Sequence, residues 1–365
     1  MNVVFCGGGT VGHISPAIAI AERIRKKHPH SSISFIGREG GSENEIISKN
    51  GYRLYEIKVS GLIRKPTLKN IKVIKNAFIS EFTAREILEK ISPDAVIGTG
   101  GYVCFPVLRA AKRLGIFTAI HESNAVLGLS SKMISKKCDV VFLGANINID
   151  RENSVYTGNP VREEFFSTTK QEARKALGIP RDKFLIISVG GSIGAEKLNK
   201  ACLEMMKSFS VKRDDVFHYH SVGKRYFEII KATYPELFLG NNGCAVFDFI
   251  ENMPLCLSAA DIVISRAGAM TLSEIAATSS ASVLIPSPNV TADHQTRNAL
   301  YFVENGASVL INETELSSDM LTDVVSSLIK NREKLRLMSQ NASRLASRNS
   351  AEKICKIIES RIDKT

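Results

Sequence analysis

The chain has 365 residues and a mass of 40.0 kDa, with 44% hydrophobic and 23% charged residues, which predicts two globular domains and excludes a disordered chain. No run approaches the roughly 18 consecutive apolar residues of a bilayer span, the opening MNVVFCGGG lacks a signal peptide's basic leader, and seven scattered cysteines without a Cys-x-x-Cys pair read as reduced core thiols of a cytoplasmic protein. The formal charge is +11; residues 1–158 hold 22 Lys and Arg against 13 Asp and Glu, and the remainder 26 against 24, so the basic excess lies in the N-terminal half and points to an anionic partner there.

Val3-Val4-Phe5 predicts a strand running into the turn Gly7-Gly8-Gly9-Thr10. A helix is predicted from Pro16 to Lys27, where Ala17, Ile18, Ile20, Ala21 and Ile24 keep helical apolar spacing, and a strand over Ser32–Gly37. The pattern recurs as a strand at Asp94–Ile97, a glycine turn at Gly98–Gly101, a helix from about Pro106 to Leu114 and a strand at Phe117–Ile120. In the second half a strand at Phe184–Val189 meets Gly190-Gly191-Ser192 and a helix over Ala195–Phe209. Ile262-Val263-Ile264 then runs into Ser265-Arg266-Ala267-Gly268, a helix through Thr271–Ala277 and a strand at Ser282–Pro286. Short apolar strands alternating with amphipathic helices predict an α/β fold: two Rossmann-like domains with parallel sheets covered on both faces. The join is placed near Thr157–Pro160, giving an N-terminal domain over 1–157 and a second over 158–340. A C-terminal helix at about 341–365 is expected to return to the first domain.

Four glycine or polar turns carry candidate chemistry. Gly7, Gly9 and Gly12 loosely satisfy a dinucleotide fingerprint, but the next strand ends Phe35-Ile36-Gly37-Arg38, with no acidic ribose ligand at its tip. A nucleotide-dependent oxidoreductase is therefore the weaker reading, and the missing Gly-Lys-Ser/Thr counts against a P-loop ATPase. His13 at the mouth of this loop is a candidate general base, its plainer role being a hydrogen-bonding group at a helix start. Gly190–Ala195 reads either as a packing turn or as a diphosphate cradle using backbone N–H groups and the Ser192 hydroxyl. Glu274, about one turn into the helix after Gly268, suits a ribose diol or a first-turn carboxylate complementing the helix dipole. Gln295, in Asp293–Ala299, suits sugar hydroxyls or a solvated helix start.

The stretch Leu62–Lys75 mixes Arg64, Lys65, Lys69, Lys72 and Lys75 with aliphatic residues and no acid. It reads as a solvated basic face or as a contact with anionic lipid. With no Trp and 7% aromatics, the chain lacks the stacking platforms of a nucleic-acid binder.

Together these motifs resemble the MurG family of glycosyltransferases across nearly the whole chain. The resemblance rests on Gly8–His13 with Pro16, Val59-Ser60-Gly61-Leu62, Gly101-Tyr102-Val103 with Pro106, and His121-Glu122-Ser123-Asn124. Gly158-Asn159-Pro160-Val161-Arg162, Gly190–Ala195 with Leu198-Asn199, Arg266–Glu274 and Asp293–Ala299 complete it. Val11 departs from the family's usual second glycine and Ser123 from its frequent glutamine.

The resemblance implies a GT-B fold with the active site in the interdomain cleft. It implies inverting transfer of N-acetylglucosamine from UDP-N-acetylglucosamine to the muramoyl sugar of undecaprenyl-diphospho-muramoylpentapeptide, lipid I to lipid II, in peptidoglycan synthesis. That role serves cell wall biogenesis, cell shape and cell division; the alternative is a related transferase on another lipid-linked acceptor. It assigns donor binding to Thr10, Val11, Gly12, Asn124, Arg162, Ser192, Ile250, Ala269, Met270, Thr271, Leu272, Ser273, Glu274 and Gln295, with Ile250 meeting uracil largely through backbone groups. His13 is the expected base, with Glu122 or a water-mediated route as alternatives. The chain has no Asp-x-Asp, the motif with which single-domain transferases hold a metal on the diphosphate, so neither metal nor cofactor is expected. Expected partners are UDP-N-acetylglucosamine, a lipid-linked diphosphate acceptor and an anionic membrane surface, not nucleic acid. The expected location is the cytoplasmic face of the cell membrane, as a peripheral protein.

Overall fold

The computed structural model of the protein describes residues 1–41, 44–59, 69–147, 152–239, 243–290 and 293–362, with the backbone alone for 69–78. The chain divides into two compact units, Met1–Arg162 with Ser347–Thr365, and Glu163–Ala346.

In unit 1, β1 (Asn2–Cys6), α1 (Val11–Lys27), β2 (Ser32–Arg38), α2 (Asn44–Lys49), β3 (Arg53–Ile57), α3 (Lys69–Ile91) and β4 (Ala95–Gly98) alternate. They continue as α4 (Cys104–Arg113), β5 (Phe117–Glu122), α5 (Leu129–Ile134), β6 (Val140–Leu143) and β7 (Ser154–Tyr156). The seven strands form one parallel sheet in the order β3-β2-β1-β4-β5-β6-β7. Both faces are covered, as parallel sheets require. Ile14, Ala17, Ile18, Ala21 and Ile24 of α1 fill one face, and Ala84, Leu88, Val107 and Leu108 of α3 and α4 the other.

In unit 2, α6 (Glu164–Ser167), α7 (Lys170–Ala176), β8 (Phe184–Val189), α8 (Glu196–Met205), β9 (Val216–Ser221), α9 (Phe227–Thr233), β10 (Cys244–Phe247) and α10 (Met253–Ala259) lead to β11 (Ile262–Ser265). Next come α11 (Ala269–Ala277), β12 (Ser282–Leu284), α12 (His294–Glu304), β13 (Ser308–Leu310), α13 (Ser318–Lys330) and α14 (Arg332–Arg344). The parallel sheet runs β10-β9-β8-β11-β12-β13. β8 is buried along its whole length, as expected of an apolar strand covered on both faces. The last helix, α15 (Ser350–Ile362), belongs to unit 1, where Ile354, Cys355 and Ile358 join the α1 face of the core. Arg23 pairs there with Glu352, and Lys27 and His28 with Glu359. All seven cysteines are free and buried.

Three helices differ from expectation: the C-terminal helix expected at about 341–365 is α15, which starts only at Ser350, after α14 has ended at Arg344 within unit 2. α1 starts at Val11, and Pro16 lies inside it. β1 ends at Cys6 and the glycines reverse the chain within a few residues, so the His13 N–H already bonds the Thr10 carbonyl at 3.1 Å. The carbonyl that Pro16 cannot serve is that of exposed Gly12, where water can take the place of the missing N–H. The helix expected over Ala195–Phe209 changes at Met206 to a π-turn through Ser210. That wider turn brings the Ser210 hydroxyl 3.1 Å from His218 Nδ1, in a buried chain where Ser188 Oγ lies 2.7 Å from both His218 Nε2 and His220 Nδ1. Burial lowers the pKa of both imidazoles, that of His220 to about 4, so neither carries charge in the core at neutral pH.

Candidate active site

Open parallel sheets bind ligands at the carboxyl ends of the strands where the strand order reverses. In unit 1 that point lies between β1 and β4, and in unit 2 between β8 and β11. Each of these four strands ends in a glycine-containing turn.

In unit 1 the two turns pack together. Gly8 N–H donates to the Gly100 carbonyl at 3.3 Å, and the Thr99 hydroxyl to the His13 carbonyl at 2.6 Å. A Cβ on Gly101 would lie 1.9 Å from the Gly8 oxygen, and one on Gly100 2.6 Å from His13 Cδ2; both residues also hold positive φ, +83° and +118°. Only glycine permits this approach and this backbone. The half-buried His13 ring is therefore walled by the Gly100 turn. Its Nδ1 lies 2.9 Å from the Gly8 carbonyl and 3.3 Å from Thr10 Oγ1. A carbonyl can only accept, so Nδ1 carries the hydrogen in the neutral ring and Nε2 keeps the basic lone pair, an assignment from the hydrogen bond.

Glu122 ends β5 and is buried. Its Oε1 accepts from Asn124 N (3.1 Å) and Nδ2 (3.0 Å), and its Oε2 from Gly128 N (2.9 Å) and Ser131 Oγ (2.7 Å). Four donors occupy the carboxylate, which fixes the Asn124 side chain and the loop leading to α5. That geometry suits a scaffold rather than a base. Neighbouring His121 is also enclosed, and burial lowers its pKa to about 4.

In unit 2 the turn after β8 is closed by Gly194 N–H to the Gly191 carbonyl at 3.0 Å. It packs against the turn after β9: a Cβ on Gly194 would meet the Val222 oxygen at 2.2 Å, and Asn199 Nδ2 donates to that oxygen at 2.8 Å. The turn after β11 is braced by Arg266, whose Nη1 donates to the Ile285 and Pro286 carbonyls (3.1 and 3.2 Å) and whose Nη2 pairs with Glu313. Asn298 Nδ2 donates to the Ala267 carbonyl at 3.2 Å. α11 begins at Ala269 behind Gly268 and has no acid in its first turn. Glu274 lies sixth in α11, not one turn in, too deep for a carboxylate complementing the helix dipole. Gln295 uses its amide oxygen to accept from Ser287 N at 2.9 Å, which ties α12 to the end of β12.

The sequence-selected residues thus fall into groups. Thr10, Val11, Gly12 and His13 share the mouth of α1. Asn124 follows β5, two strands or roughly 10 Å away along the same sheet edge. Arg162 closes the first segment of unit 1. Ile250 follows β10, Ser192 follows β8, Ala269–Glu274 follow β11 and Gln295 follows β12, all on the carboxyl edge of the unit 2 sheet. Arg64 and Lys65 lie outside the described residues, and Lys69, Lys72 and Lys75 lie in the part of α3 described by its backbone alone. Sequence reasoning missed the wall that Gly100 forms beside His13 and the brace from Val222 to Gly194, because both join turns distant in the chain. Among the described residues no three His, Cys, Asp or Glu side chains gather as a metal site, and no helix is long and apolar enough to cross a membrane.

Comparison with known proteins matches residues 3–143 to the glycosyltransferase family 28 N-terminal domain and residues 185–355 to its C-terminal domain. A relative from Acetivibrio thermocellus, named UDP-N-acetylglucosamine--N-acetylmuramyl-(pentapeptide) pyrophosphoryl-undecaprenol N-acetylglucosamine transferase, is 40% identical over 98% of both chains. A relative of the same name from Thermoanaerobacter sp. is 40% identical over 99% of this chain and 100% of its own. The crystal structure of Acinetobacter baumannii MurG superposes with a TM-score of 0.73 at 28% identity, covering 98% of this chain and 99% of its own. Likeness of this degree across both units makes the chain a glycosyltransferase that belongs to the MurG family.

Proposed function

We propose that the protein transfers N-acetylglucosamine from UDP-N-acetylglucosamine to the muramoyl sugar of undecaprenyl-diphospho-muramoylpentapeptide, with inversion at the anomeric carbon. Unit 1 takes the acceptor and His13 is the base. Its Nε2 removes the proton from the acceptor hydroxyl, the hydroxyl oxygen bonds to the anomeric carbon, and the bond from that carbon to the β-phosphate oxygen breaks as UDP leaves. Unit 2 supplies most of the donor contacts. The Ser192 hydroxyl, the backbone N–H groups of residues 190–193 and the start of α11 receive the charge that develops on the diphosphate. Glu274 holds the ribose diol, and Ile250 meets the uracil through its backbone. Gln295, its oxygen held by Ser287 N, offers its amide N–H to a sugar hydroxyl. Asn124, set by Glu122, together with Thr10, Val11, Gly12 and Arg162, completes the donor contacts.

The single observation that carries this assignment of roles is the His13 ring, whose Nδ1 is held by the Gly8 carbonyl at a reversal point of strand order. The protein works at the cytoplasmic face of the membrane as a peripheral protein, with the basic strip from Arg64 to Lys75 against anionic headgroups. The test is nucleotide release from several UDP- and GDP-sugars in the presence of lipid-linked acceptors. Release should require UDP-N-acetylglucosamine and the muramoyl lipid diphosphate, and should survive EDTA. Equal release with a diacylglycerol acceptor would assign the chain to a different lipid substrate, and a loss with EDTA that magnesium restores would give the diphosphate charge to a metal.

A further inference from the structure

We propose that Arg38 binds an oxyanion of the acceptor beside the His13 loop. The inference rests on the reading that unit 1 takes the acceptor. Arg38 ends β2, two residues past the last pairing of that strand with β1, Cys6 to Ile36, and so lies on the carboxyl edge of the sheet. Dinucleotide folds place a ribose-binding acid at the tip of this strand. Here the charge is reversed, which calls for an anion.

A neutral partner holds the guanidinium. Its Nη1 donates to the Tyr102 hydroxyl at 3.1 Å. The Tyr102 ring lies against Gly9, where a Cβ would come 3.3 Å from the ring. The phenol thus suspends Arg38 over the first glycine turn. The Arg38 carbonyl accepts from Asn44 Nδ2 (2.8 Å) and Gly41 N (3.0 Å), which fixes the backbone.

Among the described residues no carboxylate lies within 4.0 Å of this guanidinium, whereas Arg23 pairs with Glu352, Arg85 with Glu89, and Arg109 and Arg113 with Glu81. Two described acids close to Arg38 in the fold are engaged elsewhere: Glu39 faces Lys58 at 3.9 Å, and Glu56 accepts from Gly40 N (3.1 Å) and Asn44 Nδ2 (2.5 Å). Arg38 Nε is buried and has no hydrogen-bond partner. With Nη1 committed to Tyr102, the edge formed by Nε and Nη2 remains, and that edge matches two oxygens of one phosphate or carboxylate. The acceptor offers both groups, on its diphosphate and on its peptide.

The test compares wild type with Arg38→Gln, Arg38→Lys and Tyr102→Phe, measuring acceptor KM, kcat, UDP affinity and thermal midpoint. Arg38→Gln should raise acceptor KM about tenfold or more, the scale of a lost charged hydrogen bond, with kcat and UDP affinity unchanged. Arg38→Lys should restore it only in part, because an ammonium lacks the paired donors, and Tyr102→Phe should raise it less. A penalty that persists on a peptide-free sugar diphosphate identifies phosphate; one that vanishes there identifies a peptide carboxylate. Both outcomes support an oxyanion site. An acceptor KM within twofold of wild type in Arg38→Gln and Arg38→Lys overturns the proposal, as does a fall in kcat and UDP affinity together with the thermal midpoint. If wild type itself ignores the lipid diphosphate, the functional reading fails and the Arg38 proposal falls with it.

Discussion

Alanine at Gly100 tests whether the position of His13 limits the reaction. The new Cβ would lie 2.6 Å from His13 Cδ2, 3.2 Å from Cγ and 3.3 Å from Nε2. Carbon atoms pack at roughly 3.5–4 Å, so the ring must withdraw by about 1 Å. A misplacement of about 1 Å costs on the order of a hundredfold in rate. The substitution also places a side chain at φ +118°, a strain of about 1–3 kcal/mol that lowers stability independently of the clash. Gly115 supplies the control: it has φ +75° and nothing within 4 Å of its Cβ position. Single-turnover rates with saturating donor, beside thermal midpoints, separate the two effects. Both variants should lose stability, but only Gly100→Ala should lose the chemical step. A folded Gly100→Ala that transfers sugar within threefold of wild type would refute the assignment of catalysis to this ring.

Glu274→Ala should weaken UDP-sugar binding by about 1–3 kcal/mol in calorimetry; unchanged affinity removes Glu274 from the ribose. Gln at Arg64, Lys65, Lys69, Lys72 and Lys75 should reduce binding to anionic vesicles, most clearly at low salt, while leaving turnover of a short-chain soluble acceptor intact; wild-type vesicle binding would remove the strip from membrane delivery. The C-terminal helix should loosen in acid. Burial alone would raise the Glu359 pKa, but hydrogen bonds from Lys27, His28 and Cys355 outweigh it and hold it at about 2 against an ordinary 4.5. A depressed carboxylate stabilises above its unfolded pKa and loses that contribution as pH falls towards its folded value. Glu359→Gln should therefore lower the thermal midpoint near pH 7, and the gap from wild type should close between about pH 4.5 and 2. A gap of constant size across that range would contradict the ion-pair account.

What could be read from the sequence was local. Val3-Val4-Phe5 and Phe184–Val189 are strands because unbroken apolar runs suit a sheet covered on both faces. The glycine turns after β1, β4, β8 and β11 mark strand ends whatever their partners. The start of α1 was misplaced because proline usually opens a helix, whereas here the open backbone at Gly12 tolerates Pro16 inside it. Glu122 looked like a possible base because Ser131 and Gly128, which occupy it, come from the following loop and helix with no recognisable signal. Arg38 was noticed only as a missing acid; its meaning depends on Tyr102, 64 residues away. The turns themselves were legible, but the pairs of turns that make a site required the fold.

The central claim is that His13 Nε2 takes the proton from the acceptor hydroxyl. Its most direct test is the single-turnover rate of His13→Ala with saturating UDP-N-acetylglucosamine, alongside the donor dissociation constant from calorimetry. The account predicts a chemical step slowed by about a hundredfold or more, with donor affinity within twofold of wild type. A normal rate at saturation with a sharply raised donor dissociation constant would make His13 a donor ligand and contradict the account.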